Sequence, residues 1–180
     1  MLKRIALLTL LLALASQAYD RTAYGEGWPS LKNGCTVRTY EIAKHSTAPV
    51  TCKTLGNGQW VDPYTGKKIT AASLMDIDHV VPLSEVDLSG GDKWSVELKK
   101  KYYSDTSGAT LLPVSAHENR SKGDASVTKY LPPLVSYRAT YCAMWYSVKK
   151  RYKLTATLDE VTVLKHYLGN AYKNDLKLRK

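Results

Sequence analysis

The chain contains no phenylalanine, and its aromatic character comes from 13 Tyr and 4 Trp among 180 residues. The absence itself has no physical explanation in the sequence, but it has a consequence. A buried tyrosine supplies packing area and also a hydroxyl that must find water or a partner, so a shallow, partly wet core is expected. Long apolar runs are missing too. The stretch from Ile5 to Ala15 has 11 residues, against about 20 for a helix that spans a bilayer, and no later segment is longer. No membrane contact is therefore expected of the mature chain. Cysteine is scarce, and the spacing of Cys35, Cys52 and Cys142 matches no zinc site. Internal repeats, low-complexity stretches and Gly/Ser/Pro linkers are also absent, which leaves no sign of a second domain.

What the first residues do contain is a leader. Met1-Leu2-Lys3-Arg4 is positive, Ile5 to Ala15 is apolar, and Ser16-Gln17-Ala18 offers small residues at the third and last positions before a cut. Residues 1–18 are expected to be a cleaved signal peptide and residues 19–180 a single domain, secreted or periplasmic and monomeric. In an exported chain cysteines are read first as disulfide candidates. Cys35 and Cys52, which flank a predicted helix, are the preferred pair, although sequence does not fix the connectivity. Cys142 is then a buried free thiol or an intermolecular partner.

Charge is unevenly spread. Without Lys3 and Arg4, 24 basic residues face 16 acidic ones, a net of +8. Residues 19–124 hold 13 of each sign, whereas residues 125–180 hold 11 basic and 3 acidic. A neutral half joined to a basic tail suggests an electrostatic footprint for a polyanion, with a solvated basic surface as the plainer reading.

The pattern predicts an α+β chain. Thr36 caps a helix to about Lys44, with Val37, Tyr40 and Ile42 on or near its inner face. A hairpin is expected from Val50–Thr54 through Gly56-Asn57-Gly58 to Gln59–Val61. Pro63–Gly66 is a further turn and Lys67–Thr70 a short extended piece. Met75 to Val81 reads as a strand closed by Pro82, Asp87 to Asp92 as a loop, and Trp94 to Tyr103 as a helix. A second strand, Ala109 to Val114, precedes a short helix from Ser115 to about Lys122. Pro132-Pro133 introduces basic helices from about residue 133, the first with a stripe of Tyr137, Tyr141, Met144, Trp145, Val148 and Tyr152. A last helix opens on the capping box Thr157–Glu160 and stops at Gly169-Asn170.

The chemistry gathers in two runs, Asp76-Ile77-Asp78-His79-Val80-Val81-Pro82-Leu83 and Asn119-Arg120-Ser121-Lys122-Gly123-Asp124. A hard divalent cation takes oxygen donors such as Asp and Asn side chains and keeps waters elsewhere. A neutral imidazole beside it can take a proton from water, since an unperturbed His titrates near ~6.5. These are the parts of a one-metal phosphodiesterase. Adjacent residues on a strand face opposite ways, so Asp78 and His79 share a site only where the strand bends or twists.

In these runs, together with Leu111-Leu112-Pro113-Val114 and Trp60-Val61-Asp62-Pro63-Tyr64-Thr65-Gly66, the chain resembles the HNH endonucleases, a branch of the ββα-metal (His-Me finger) nucleases, and more narrowly the exported bacterial group. The resemblance covers roughly Cys35 to Val148. It implies two strands and a helix around one cation, with a small antiparallel hairpin and helices at both ends. It also implies His79 as general base and Asp78 and Asn119 as metal ligands. The expected ion is Mg²⁺, with Mn²⁺, Ca²⁺ and Zn²⁺ as alternatives. One departure stands out: the family places Asn before the Leu-Leu pair to tie down the motif loop, and this chain has Thr110, which reaches less far.

Asp76 is placed either to orient a ligand or His79 or to serve structure alone. Arg120 and Lys122 either clamp phosphate or form solvent-facing salt bridges. His117 and Glu118 are expected to point away from the ion by helix phase, and His45 and His166 to lie on the surface. No zinc-finger, helix-turn-helix or other base-reading module is visible, so affinity for DNA, and RNA with it, is expected to come from phosphate contacts and to fall with salt. Lys149-Lys150-Arg151, Lys177, Arg179 and Lys180 are the expected suppliers. The alternative is a non-catalytic cationic protein that binds nucleic acid or envelope polyanions, which explains the tail but gives Asp78, His79 and Asn119 no purpose.

Overall fold

The computed structural model describes residues 19–179; the expected leader and Lys180 lie outside them. Among the described residues no helix is long and apolar enough to cross a membrane. The chain is α+β. Helix α1 (Val37–Lys44) starts on a reciprocal cap between Thr36 and Thr39 and buries Val37, Ile42 and, unexpectedly, Glu41. It lies between Cys35 and Cys52, which form a disulfide with Cα atoms 5.8 Å apart, and Cys142 is a buried free thiol.

The predicted hairpin is displaced. Residues 50–54 form no strand; β1 (Trp60–Val61) instead pairs antiparallel with β2 (Lys68–Ile69), across the turn that follows. The reason is Asp62. Its carboxylate accepts from the Tyr64 amide (3.2 Å) and the Thr65 hydroxyl (2.7 Å), and its carbonyl accepts from Gly66 N–H. Gly66 takes the positive φ (74°) that this turn needs. The Gly56-Asn57-Gly58 turn is consumed by a 3₁₀ turn, and the Trp60 ring lies over Gly58 where a Cβ would clash at 2.0 Å.

The motif strand β3 (Met75–His79) pairs antiparallel with β4 (Leu111–Ser115), Asp78 opposite Leu112 and His79 opposite Leu111. Alternation splits this pair between two cores. Met75, Ile77 and Leu111 join Val37, Ile42, Trp60 and Ile69. Leu112 and Val114 join a larger, tyrosine-rich cluster that includes Tyr64, Tyr102, Tyr141 and Trp145. Between the strands, α2 (Leu83–Leu88) occupies residues with no predicted helix, and α3 (Val96–Tyr103) starts two residues later than expected. After β4, α4 (Ala116–Lys122) is capped by Ser115 and stopped by Gly123, completing a β-β-α unit. Helix α5 (Arg138–Arg151) and α6 (Leu158–Leu168), the latter capped by the Thr157–Glu160 box, close the far side.

Tyrosine hydroxyls in the large core mostly find protein acceptors: Tyr102 donates to the Val81 carbonyl at 2.6 Å and Tyr24 to Asp87 at 2.5 Å. A buried ammonium joins three helices. Lys149 of α5, fully buried, bonds Glu85 of α2 and Glu160 of α6, each at 2.7 Å.

Candidate active site

The imidazole of His79, at the last residue of β3, is held on all sides. Its Nε2 lies 3.0 Å from the carbonyl of Tyr103. A carbonyl only accepts, so Nε2 carries the hydrogen and, in the neutral ring, Nδ1 keeps its lone pair free. Trp28 stacks on the ring at 5.8 Å and 17°, and Tyr102 at 5.8 Å and 20°. Burial pushes the His79 pKa down to about 3, with the positive charges of Lys122 and Arg21 adding to the effect against the opposing Tyr103 carbonyl. The ring is thus neutral at physiological pH.

Asp78 is buried as well, against Tyr64 of the tyrosine-rich cluster. Its Oδ1 accepts from Lys122 Nζ at 2.7 Å and its Oδ2 from Tyr64 OH at 2.5 Å. Burial raises its pKa, while Lys122 and Tyr64 pull it back. The same Lys122 ammonium donates to the His79 carbonyl at 3.0 Å. Although alternation points them apart, Asp78 and His79 line a single cleft of roughly 360 Å³, because the strand ends there. Asn119 and Arg120 of α4 line it as well, with Tyr19 and Arg21 from the N-terminal segment.

Asn119 is half-buried, and among the described residues its carboxamide has no hydrogen-bond partner. Each Asp78 oxygen accepts one hydrogen bond and retains a second lone pair. These two side chains fit a hard cation that keeps much of its shell as water. A closed structural site is not formed, since no group of three or more His, Cys, Asp or Glu gathers among the described residues.

Lys122 is neither exposed to clamp phosphate nor in a solvent-facing salt bridge, the two roles expected of it. On α4 it lies four residues from Glu118, and both fall on the inner face. Its ammonium is fully enclosed between Asp78 and the His79 carbonyl, whereas Arg120, two residues away, is exposed and lines the cleft. Glu118 turns from the cleft and accepts from Tyr130 at 2.8 Å, and His117, His45 and His166 are exposed. Asp76 is half-buried, with no hydrogen bond from its side chain among the described residues.

Thr110 does not reach the motif loop through its side chain. Its hydroxyl donates to Asp105 at 2.8 Å, and its carbonyl accepts from the Val80 N–H at 3.0 Å. Asp105 also accepts from Ser107, Tyr152 and Arg151; burial would raise its pKa, but the hydrogen bonds from Ser107, Tyr152 and Thr110 hold it down to about 2. This hub fixes the segment just after Tyr103, the residue whose carbonyl holds His79.

The basic tail is also different from expectation. Lys149 is buried, Lys150 pairs with Asp175 (2.7 Å), Arg151 with Asp105 (3.3 Å), and Arg179 with Glu85 (3.3 Å). Sequence reasoning missed Tyr64, Trp28, the Tyr103 carbonyl and Asp105. Tyr64 lay in a quoted motif; the others carry no local signal.

An HNH endonuclease family model matches residues 62–87, which run from the Asp62 turn through Asp78 and His79 into α2 but stop short of Asn119. A protein of Arthroderma benhamiae described as an uncharacterized secreted protein is 35% identical over 145 residues, covering 79% of this chain and 71% of the relative. No solved structure matches. With the motif on the second-last and last residues of β3 and an antiparallel β-β-α unit around it, the chain belongs to the HNH endonuclease family.

Proposed function

We propose that this protein is an exported, metal-dependent endonuclease that hydrolyses DNA phosphodiester bonds with little sequence specificity. The observation that carries the reading is the shared cleft of Asp78, His79 and Asn119 in which the His79 ring is fixed with Nδ1 unprotonated. His79 takes a proton from water as its oxygen bonds to phosphorus. The bond to the leaving 3′-oxygen breaks, that oxygen takes a proton from solvent, and the products carry 5′-phosphate and 3′-hydroxyl ends. Asp78 and Asn119 would hold one divalent cation, Mg²⁺ first. When bound it would stabilise charge on a non-bridging oxygen and on the leaving oxygen. Lys122 and Tyr64 hold the Asp78 carboxylate in place, Trp28 and the Tyr103 carbonyl hold the base, and Arg120 meets phosphate from the exposed side of α4.

Export is supported by the leader-like first 18 residues, by the secreted relative and by the Cys35–Cys52 disulfide, a bond that persists in oxidising compartments. The chain acts as one domain and as a monomer. Of the 11 basic residues in 125–180 that motivated a purely cationic binder, Lys149, Lys150, Arg151 and Arg179 form ion pairs within the protein; that binder still gives Asp78, His79 and Asn119 no purpose.

Supercoiled plasmid incubated with purified protein over a series of Mg²⁺, Mn²⁺, Ca²⁺ and Zn²⁺ tests the proposal. Nicking that depends on the cation and stops with EDTA supports it. Intact plasmid under every cation, with binding retained, overturns it in favour of the binder.

A further inference from the structure

A second concavity, of roughly 840 Å³, shares Arg120 with the catalytic cleft. One wall is the β1–β2 hairpin with Lys67 and Lys68; the other is the segment before α5 with Leu134 and Val135, tied to the hairpin by the Leu134 N–H to Tyr64 carbonyl bond (2.9 Å). Two features of this groove bear on what it can hold.

The first is charge that is free to act. Lys67, Lys68 and Arg120 are exposed, and among the described residues none has a salt-bridge partner. The two carboxylates on the lining are committed elsewhere: Asp62 is fully buried in its turn, and Glu118 accepts from Tyr130. His117 adds a further donor. Three exposed cations, all from the half of the sequence whose net charge is zero, thus outnumber two buried carboxylates on the lining. The second feature is apolar surface beside those charges. Leu74 and Val135 are 59% and 67% exposed, unusual for large aliphatic side chains on the walls of a cationic groove.

We propose that this groove binds the single-stranded flank of the substrate. The strand leaving the scissile phosphate passes Arg120, sets its next phosphates on Lys67 and Lys68, and lays a base against Leu74 and Val135. A duplex keeps its base faces stacked inside, whereas a single strand offers them to apolar surface while its backbone tracks the cations. The volume lies within the range of about 300–1,000 Å³ that encloses small organic ligands, enough for a nucleotide rather than a helix. This inference rests on the nuclease reading and names the form of substrate that the site prefers.

The test is fluorescence anisotropy of a short fluorescein-labelled oligodeoxynucleotide, single-stranded and duplex, with the residue 19–180 protein in EDTA so that no cleavage intervenes. Lys67→Glu/Lys68→Glu should weaken single-strand binding by about tenfold or more and lower the slope of log affinity against log salt by roughly one to two. Leu74→Asp/Val135→Asp should weaken single-strand binding by about fivefold and leave duplex binding nearly unchanged. Lys150→Glu/Lys173→Glu, on the tail, should have little effect. Circular dichroism confirms that each variant is folded.

Unchanged binding in the groove variants, or an equal loss from the tail variant, overturns the inference, and active wild type in the plasmid assay then leaves the nuclease reading standing. If wild type cuts neither plasmid nor the single-stranded oligonucleotide when a divalent cation is supplied, the nuclease reading falls, and with it the assignment of this groove as a substrate site, even where binding to the groove persists.

Discussion

The ammonium of Lys122 lies 2.7 Å from Oδ1 of Asp78 and 3.0 Å from the carbonyl of His79, fully enclosed by protein. One side chain from α4 thus fastens both residues of the motif strand. Removing it would leave a buried carboxylate without its cation. Lys122→Met should destabilise the protein by about 3–5 kcal/mol, read by urea denaturation, and Lys122→Met/Asp78→Leu should recover much of that loss. A loss under 1 kcal/mol, or a purely kinetic effect of weaker DNA binding, would restore Lys122 to the surface role read from sequence.

Trp28 and the Tyr103 carbonyl together fix the base. Trp28→Ala should lower kcat by roughly three- to tenfold, in line with the ~0.5–1.5 kcal/mol that aromatic pairs contribute, with KM little changed. Trp28→Phe should restore most of the rate. A change confined to KM would make Trp28 a substrate contact instead of a positioning residue.

The lowered pKa of His79 has a definite sign. Below about 6.5 the unfolded chain takes up a proton that the folded protein refuses down to about 3, so stability falls as pH drops through that window and is intact above it. The contribution is about 1.4 kcal/mol per pH unit. In EDTA, wild type should lose about 2 kcal/mol more than His79→Gln between about pH 7 and pH 5. Equal losses would mean that the ring is not held neutral. In catalysis, the substrate's negative phosphate raises the imidazole pKa. The acid limb of kcat should therefore lie at higher pH than that of kcat/KM, which reports the free enzyme.

The Cys35–Cys52 bond closes a short loop around α1, with a sequence separation of 17. Replacing both cysteines with serine should cost about 3 kcal/mol, chiefly by freeing the unfolded chain. Equilibrium urea denaturation reads this directly, and unchanged stability would contradict it. Cys142, buried and with its thiol raised to about 11, should resist alkylation until the protein unfolds.

Elements whose signals are local were legible in the sequence. Thr36 and the Thr157–Glu160 box set helix starts and Gly169 set a stop, whereas the motif strand ends at His79, short of the expected Val81, and Pro82 leads into α2. The hairpin was misplaced because two adjacent turns compete, and the winner depends on how Asp62 bonds its neighbours. In the site, His79, Asp78 and Asn119 could be named from their motifs, and the structure brings them to one cleft. What holds them could not. The Tyr103 carbonyl reaches His79 across 24 residues and Lys122 reaches Asp78 across 44, and no spacing rule reports either contact. The charge of the tail was counted correctly, but counting does not reveal that Lys149 is an internal cation.

The most direct measurement is single-turnover nicking of supercoiled plasmid at saturating cation by wild type and His79→Ala, with folding and plasmid affinity checked in parallel. The account predicts a fall of roughly 10²–10⁴-fold in rate with affinity retained. A folded His79→Ala protein that cuts as fast as wild type would contradict it.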